Sequence, residues 1–298
     1  MSLKLPEELV EREIEAICQR YQIDPEHATT LFEQYVQRQP EILKKILAKY
    51  PHEDLTRLRS YKTLIKHVRK HIYYHLRQYQ ADKQKIVYLR NELAQLIRSS
   101  QDTRQIERVI QALLFTHRST KERVNEYQTF YQKIFELIAP PRTILDLGCG
   151  IHPLSYPFDH PEYRPEVYVA IDHQPEVIET LTVFAASVNP TRLIPLCADI
   201  AEANWRSYLE GEMDEFEVAF MLKLIPVISR QRKHLLPKLA EVPAHQMVIT
   251  AAIESMTRKE NIRRKEEHSL HEFIAMTGRK VLATFQISNE FGYLLGEP

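Results

Sequence analysis

The sequence predicts an α/β fold, a Rossmann-like seven-stranded sheet preceded by an all-α region. Three observations predict it. The first 140 residues contain no glycine and read as amphipathic helices broken by prolines and polar turns. After Pro140-Pro141, short apolar or β-branched runs alternate with stretches of helical period. The first of these runs ends in Gly148-Cys149-Gly150, which holds two of the chain's six glycines. The expected domains are a helical region over 1–115 and an α/β domain over 116–298.

Composition bounds what such a chain can do. At 298 residues, 44% apolar and 27% charged, it has material for one large core or two modest ones. That excludes a disordered chain and a disulfide scaffold. Cys18, Cys149 and Cys197 lack any CxxC spacing and read as free thiols of a reducing compartment, the latter two as small packing residues. No run of 18 apolar residues predicts a membrane span, and the acidic, amphipathic start does not resemble a signal peptide. The expected location is cytoplasmic.

The helical region carries a charge gradient inside a chain of zero net charge. Residues 1–50 hold seven Lys/Arg against nine Asp/Glu, and residues 51–100 hold eleven against four. Over 61–80, Tyr61, Leu64, Ile65, Val68, Ile72, Leu76 and Tyr79 follow the spacing of one helical face. Lys62, Lys66, Arg69, Lys70 and Arg77 share the other side, a basic stripe suited to a polyanion or simply to solvent. His67, His71 and His75 recur every fourth residue, yet no cysteine or carboxylate cluster accompanies them, so no metal site is expected.

The α/β part reads as strands at 143–147, 167–171, 193–197, 216–222, 246–252, 281–287 and 290–295, with helices at 175–188, 229–241 and 261–277. The alternation implies a mostly parallel sheet covered on both faces. The last two strands have almost no linker and must form an antiparallel hairpin at one edge. Seven strands with that ending are the arrangement usual in class I methyltransferases.

The glycine loop indicates the ligand. Gly148 and Gly150 at a strand end permit a sharp turn and a close ligand approach, but Pro153 stands where a dinucleotide fingerprint needs a third glycine. Asp146 precedes the loop, Asp172 ends the second strand 22 residues beyond Gly150, and Asp199 ends the third. Ligands of open α/β sheets bind at these carboxyl ends. Three carboxylates in register with a glycine loop fit S-adenosylmethionine: Asp172 at the ribose, Asp199 at the adenine amino group, Asp146 near the ammonium end. Ahead of the first strand, Ser119-Thr120-Lys121-Glu122 reads as a capping box opening a helix of about 19 residues that spans roughly 28 Å. Arg123 in its first turn would reach the methionine carboxylate or be an ordinary surface arginine. The first alternative predicts that Arg123→Ala weakens cofactor binding without unfolding the chain.

Three segments together resemble the aminoglycoside-resistance 16S rRNA (guanine-N7) methyltransferase family. They are His117-Arg118-Ser119-Thr120-Lys121-Glu122-Arg123-Val124, then Ile144 to Leu154 around the glycine loop, then Phe220-Met221-Leu222-Lys223-Leu224-Ile225-Pro226. The family has an H-x-S-T-x-E-R-[LV] box, a loop ending N-P-L and an F-x-L-K-x-[LI]-P segment in that order. Asn289-Glu290 and Tyr293 are similar to its final N-E-L-x-Y strand. The resemblance implies that Arg123 holds the methionine carboxylate, that Lys223 sits at the active-site mouth, and that the helical region docks on 16S rRNA in the small (30S) ribosomal subunit. It also implies an aminoglycoside-resistance phenotype by analogy. His152, counted among the cofactor-binding residues, replaces the family's asparagine. Thr250-Ala251-Ala252 and the stretch 262–268 depart from the family's loop beside the target base.

Elimination narrows the chemistry. No [DNS]-P-P-[YF] motif follows the fourth strand, against exocyclic amine methylation, and no cysteine lies beyond Cys197 to serve pyrimidine C5 methylation. Guanine N7 carries no proton and needs only alignment with the methyl donor. Arg263 and Arg264, with Arg258, Lys259 and Lys265, form a second basic tract on the substrate side. A metal-free monomer acting on folded rRNA is therefore expected. The rivals are a methyltransferase of a small molecule or protein, which would show no salt-sensitive RNA binding, and a silent ribosome-binding module, which would bind cofactor and subunit yet label nothing.

Overall fold

The computed structural model describes residues 4–21, 23–77, 83–99, 103–208, 214–254 and 260–297. Two compact units divide the chain between Gln80 and Ala81.

The first unit is helical: α1 (Glu7–Tyr21), α2 (Pro25–Gln37), α3 (Pro40–Leu47) and α4 (Arg59–Arg77). Its core comprises Ile17, Phe32, Leu43, Ile46, Leu64, Val68 and Ile72, each at most 1% exposed. The α4 face expected from spacing is thus the buried one from Tyr61 to Ile72, and Lys62, Lys66 and Lys70 lie on its exposed side. Tyr79 and the Leu76 side chain lie outside those described. Arg69 does not share that exposure. Its guanidinium donates to the buried Glu13 carboxylate of α1 at 2.6 Å, and Tyr61 donates to the same group at 3.3 Å. A buried carboxylate needs such partners, so Arg69 staples α1 to α4.

The second unit opens with α5 (Lys83–Arg98) and α6 (Thr103–Thr116). Leu89, Leu93, Val109, Leu113 and Leu114 of this pair enter the core on one face of the sheet. That is why the units part at 80/81 and not at the expected 115/116. The single helix expected from Ser119 is broken. A short α7 (Arg118–Lys121) gives way to turns before α8 (Tyr127–Phe135). Thr120 donates its hydroxyl to the carbonyls of Leu114 and His117, satisfying the end of α6 instead of capping a new helix.

The strands are β1 (Thr143–Leu147), β2 (Val167–Asp172), β3 (Arg192–Cys197), β4 (Phe216–Leu222), β5 (Ala244–Ala252), β6 (Val281–Ile287) and β7 (Glu290–Leu295). All seven lie within two residues of expectation. Their order is β3-β2-β1-β4-β5-β7-β6, parallel from β3 to β5 and antiparallel at the β7–β6 edge. This is the class I methyltransferase arrangement, with its switch point between β1 and β4. Helices α5, α6, α8 and α9 (Pro175–Ala185) cover one face; α10 (Leu224–Gln231), α11 (Leu236–Ala240) and α12 (Arg263–Thr277) cover the other. The expected helix 229–241 is split because Arg232 leaves helical geometry (φ −144°, ψ 49°) and Pro237 restarts a helix in its first turn. Among the described residues no helix is long and apolar enough to cross a membrane, and no group of three His, Cys, Asp or Glu could hold a metal ion.

Candidate active site

β1 runs directly into two residues of positive φ, Gly148 (+62°) and Gly150 (+53°). A Cβ at Gly148 would stand 2.8 Å from Leu224, and one at Gly150 would stand 3.2 Å from the His117 ring. Both backbone and space therefore demand glycine. The loop is tied to β2. Gly150 N–H donates to Asp172 Oδ2 at 2.9 Å, Gln174 N–H donates to Oδ1 at 2.9 Å, and Cys149 N–H donates to the Ile171 carbonyl. Burial pushes the Asp172 carboxyl up, but the His173 ring 3.3 Å away and the two backbone donors hold it below its ordinary range. The His173 pKa moves up in return, through its hydrogen bond to Asp172.

The other two strand-end carboxylates are differently committed. Asp199 lies just past β3 with both oxygens on Arg232 Nη1, at 2.7 and 2.8 Å, and with the Ala201 N–H on Oδ1. Asp146 is 1% exposed and accepts from the Tyr168 hydroxyl at 2.8 Å and from His152 Nδ1 at 3.1 Å. Burial pushes the His152 pKa down despite Asp146. The neutral ring then accepts from the Tyr131 hydroxyl at 2.7 Å through Nε2. Asp146 and His152 thus form a dry polar brace under the loop, with their atoms turned to tyrosines.

A third cluster gathers at the same sheet edge, because antiparallel β7 begins where β5 ends, Glu290 opposite Ala252. The Arg123 guanidinium, 5% exposed, is bidentate to the Glu290 carboxylate and lies 4.9 Å from the Phe130 ring centre. Lys223 follows β4 in the left-handed region (φ 59°). Its Nζ sits 2.7 Å from Glu122 and 3.5 Å from Glu290. Burial would raise the Glu290 pKa, yet the Arg123 and Lys223 charges hold it at about 2.

Six of the expected cofactor residues and Lys223 therefore meet at or under one edge of the sheet, as does Arg123, which is no surface arginine. Of the expected RNA-binding residues, Lys66 and Lys70 are exposed, Arg69 is turned to Glu13, and the Arg77 side chain lies outside those described. Arg264 is exposed, while Arg263 donates to Gln286 at 2.6 Å and lies over the Phe291 ring at 5.1 Å. Arg258 and Lys259 lie outside the described residues. Cys149 packs inside as expected, but Cys197 is exposed at the end of β3. Sequence reasoning did not find Glu290 as the partner of Arg123, nor Tyr131, Tyr168 and Arg232. A single carboxylate heading the otherwise apolar run Phe291–Leu295 was the available signal for Glu290.

A family model described as Ribosomal RNA methyltransferase (FmrO) matches residues 37–290. The chain is 30% identical over 122 residues to a 16S rRNA (guanine(1405)-N(7))-methyltransferase of Proteus mirabilis, covering 41% of each. It is 28% identical over 136 residues to the enzyme of that name from Micromonospora echinospora, covering 44% of this chain and 45% of the relative. The matches thus span less than half the length of these curated relatives. Among solved structures, the 16S rRNA methylase RmtB superposes with a TM-score of 0.56 at 17% identity, over 97% of this chain and 98% of that one. The methylase ArmA gives 0.53 at 25% identity, over 70% and 98%. The methyltransferase RmtF, solved with S-adenosyl-L-homocysteine, gives 0.56 at 19%, over 99% and 100%.

Proposed function

This chain belongs to the FmrO family of ribosomal RNA methyltransferases, and from that premise we propose that it transfers a methyl group from S-adenosylmethionine to a guanine N7 of 16S rRNA near the decoding site of the small subunit. The observation that carries the reading is the loop of Gly148 and Gly150, two positive-φ residues with no Cβ, whose N–H is fixed on an ionised Asp172 at a strand end. The residues fit the cofactor. Each Asp172 oxygen takes a single backbone N–H and keeps capacity for a ribose hydroxyl. The Asp199 carboxylate stands one strand further on, and the Arg123 guanidinium retains N–H groups beyond the two given to Glu290.

When bound, the cofactor supplies an electrophilic methyl on a sulfonium. The chain's own work is then orientation. N7 of guanine offers an in-plane lone pair and no proton, so a general base is unnecessary and positioning carries the rate. Lys223 is suited to donate to the neighbouring guanine O6, the usual partner of a lysine on that edge. Lys66, Lys70, Arg263 and Arg264 supply phosphate contacts that set register without reading sequence. In this reading the protein acts as a metal-free monomer in the cytoplasm, and the modified subunit resists aminoglycosides.

The test is transfer of tritiated methyl to intact 30S subunits, protein-free 16S rRNA and total protein in parallel, followed by borohydride–aniline cleavage of labelled RNA. Labelled RNA cut at a single site is expected. Label without cleavage would discard N7, and label only in protein would discard the RNA substrate.

A further inference from the structure

We infer that the groove between α1 and α2 docks a lysine- and arginine-rich amphipathic segment of a small-subunit ribosomal protein; the source of that segment rests on the ribosomal substrate proposed above. The groove is a cavity of about 820 Å³ in the first unit. Its apolar part comes from Val10 and Ile14 of α1 and Phe32 and Val36 of α2. Its charged part is one-sided: Glu7, Glu11, Glu15 and Glu33 line it, and Lys4 is the one lysine or arginine among the lining residues.

Glu7, Glu11 and Glu15 recur every fourth residue, so they stand on one α1 face about 6 Å apart along the axis. Among the described residues, Glu7, Glu11 and Glu33 enter no ion pair. A helix with apolar residues on one face and Lys or Arg repeated at the same interval would lay its apolar face on Val10, Cys18 and Pro25, above a floor of buried Ile14, Phe32 and Val36, and meet the carboxylates at its flanks. A nucleic acid is the wrong occupant, because the same carboxylates repel phosphate. The basic stripe is separate, since no residue of α4 lines the groove. A single helical unit would then touch both components of a ribonucleoprotein, its lysines on RNA phosphates and its acidic groove on a basic protein. That would make the enzyme select the assembled particle over its bare RNA.

The full-length chain carrying Glu11→Lys and Glu33→Lys tests this against intact 30S subunits and protein-free 16S rRNA by filter binding at one fixed salt concentration. The wild type is expected to bind subunits about tenfold or more tightly than bare RNA. The reversal should weaken subunit binding about tenfold while leaving bare-RNA binding equal or stronger, since it adds positive charge. Glu11→Gln with Glu33→Gln should weaken subunit binding less and leave bare-RNA binding equal or slightly stronger, and this pair decides the matter if the reversal fails to fold. A photoreactive residue at Gln37, which lines the groove, should cross-link to a ribosomal protein. Unchanged subunit binding, a cross-link to rRNA, or a cross-link to a second copy of the chain would each overturn the assignment. If the wild type labels subunits with methyl but charge reversal changes nothing, the groove assignment alone fails. If it labels no RNA at all, the functional reading falls and takes this inference with it.

Discussion

Arg123 and Glu290, 167 residues apart in the chain, form a bidentate pair whose side chains are 6% and 5% exposed. The pair closes the helical approach to β1 against the first residue of β7, and Lys223 and Glu122 extend it into a line of alternating charge. Removing one member of such a pair strands the other in a dry site, at about 3–5 kcal/mol. Glu290→Ala should therefore lower unfolding free energy in urea by about 3 kcal/mol, and a loss below about 1 kcal/mol would show that water already reaches the guanidinium. Arg123→Ala leaves Glu290 with Lys223 at 3.5 Å, so it should cost less, yet not nothing. The variant is still expected to fold, with a lower unfolding free energy than the wild type.

The same pair fixes a pH dependence. Glu290 titrates at about 2 in the fold against 4.5 when unperturbed. A lowered carboxylate contributes stability that is complete above its unfolded pKa and disappears as pH falls through the folded one. Between pH 4.5 and 2 the wild type should lose stability faster than Glu290→Gln, whose neutral side chain cannot titrate. Parallel urea midpoints for the two proteins across that window would contradict the assignment. Asp172 and Asp199 are also lowered, so the difference between the proteins is the quantity to read.

The strands were legible because each is a short apolar or β-branched run between turn residues. β1, β2, β4, β5 and β7 are buried on both sheet faces, while the edge strands β3 and β6, partly exposed, were legible by their composition and turn flanks. The glycine loop and Asp172 were legible because backbone geometry restricts the residue types allowed there. What local pattern misses is pairing over distance. Arg123 carries no sign of whether it meets solvent, a ligand or Glu290, and Arg69 on a clean helical stripe gives no hint of buried Glu13 on another helix. The capping-box reading failed similarly: Ser119 and Glu122 have the right spacing, but the Ser119 hydroxyl meets the His117 ring and the Glu122 carboxylate meets Lys223 instead of closing the local bonds.

Asp172→Asn keeps size and removes charge, and an amide nitrogen cannot accept from the N–H of Gly150 or Gln174 that it would then face. Hydrogen bonds to a charged acceptor contribute about 1.5–3 kcal/mol each. Binding of S-adenosylhomocysteine measured by calorimetry should weaken about 100-fold, with most of the thermal stability retained. Unchanged affinity would move the ribose site elsewhere.

Gly150→Ala and Gly278→Ala separate backbone strain from contact. Both positions have φ near +60°, but a Cβ at Gly150 would stand 3.2 Å from His117, and one at Gly278 meets nothing within 4 Å. Each substitution should cost about 1–2 kcal/mol for the left-handed backbone. Only Gly150→Ala should also weaken cofactor binding, by about tenfold or more. Equal affinities in the two variants would detach the loop from the cofactor.

Lys223 poses the sharpest question for the chemistry, because its backbone and its ammonium make separate demands. At φ 59° a glycine would sit more easily than any side chain, so a lysine kept there argues that the cation matters more than the strain. Lys223→Gly relieves the backbone and deletes the charge; Lys223→Ala deletes the charge and keeps the strain. The glycine variant should be the more stable of the two by about 1 kcal/mol. If the ammonium aligns the target guanine, both should bind S-adenosylhomocysteine within about twofold of wild type and both should lose methyl transfer by about 10- to 100-fold, as positioning groups do. Should the glycine variant transfer methyl at the wild-type rate, Lys223 serves only to neutralise Glu122 and Glu290, and the residue that orients the base lies elsewhere on this edge.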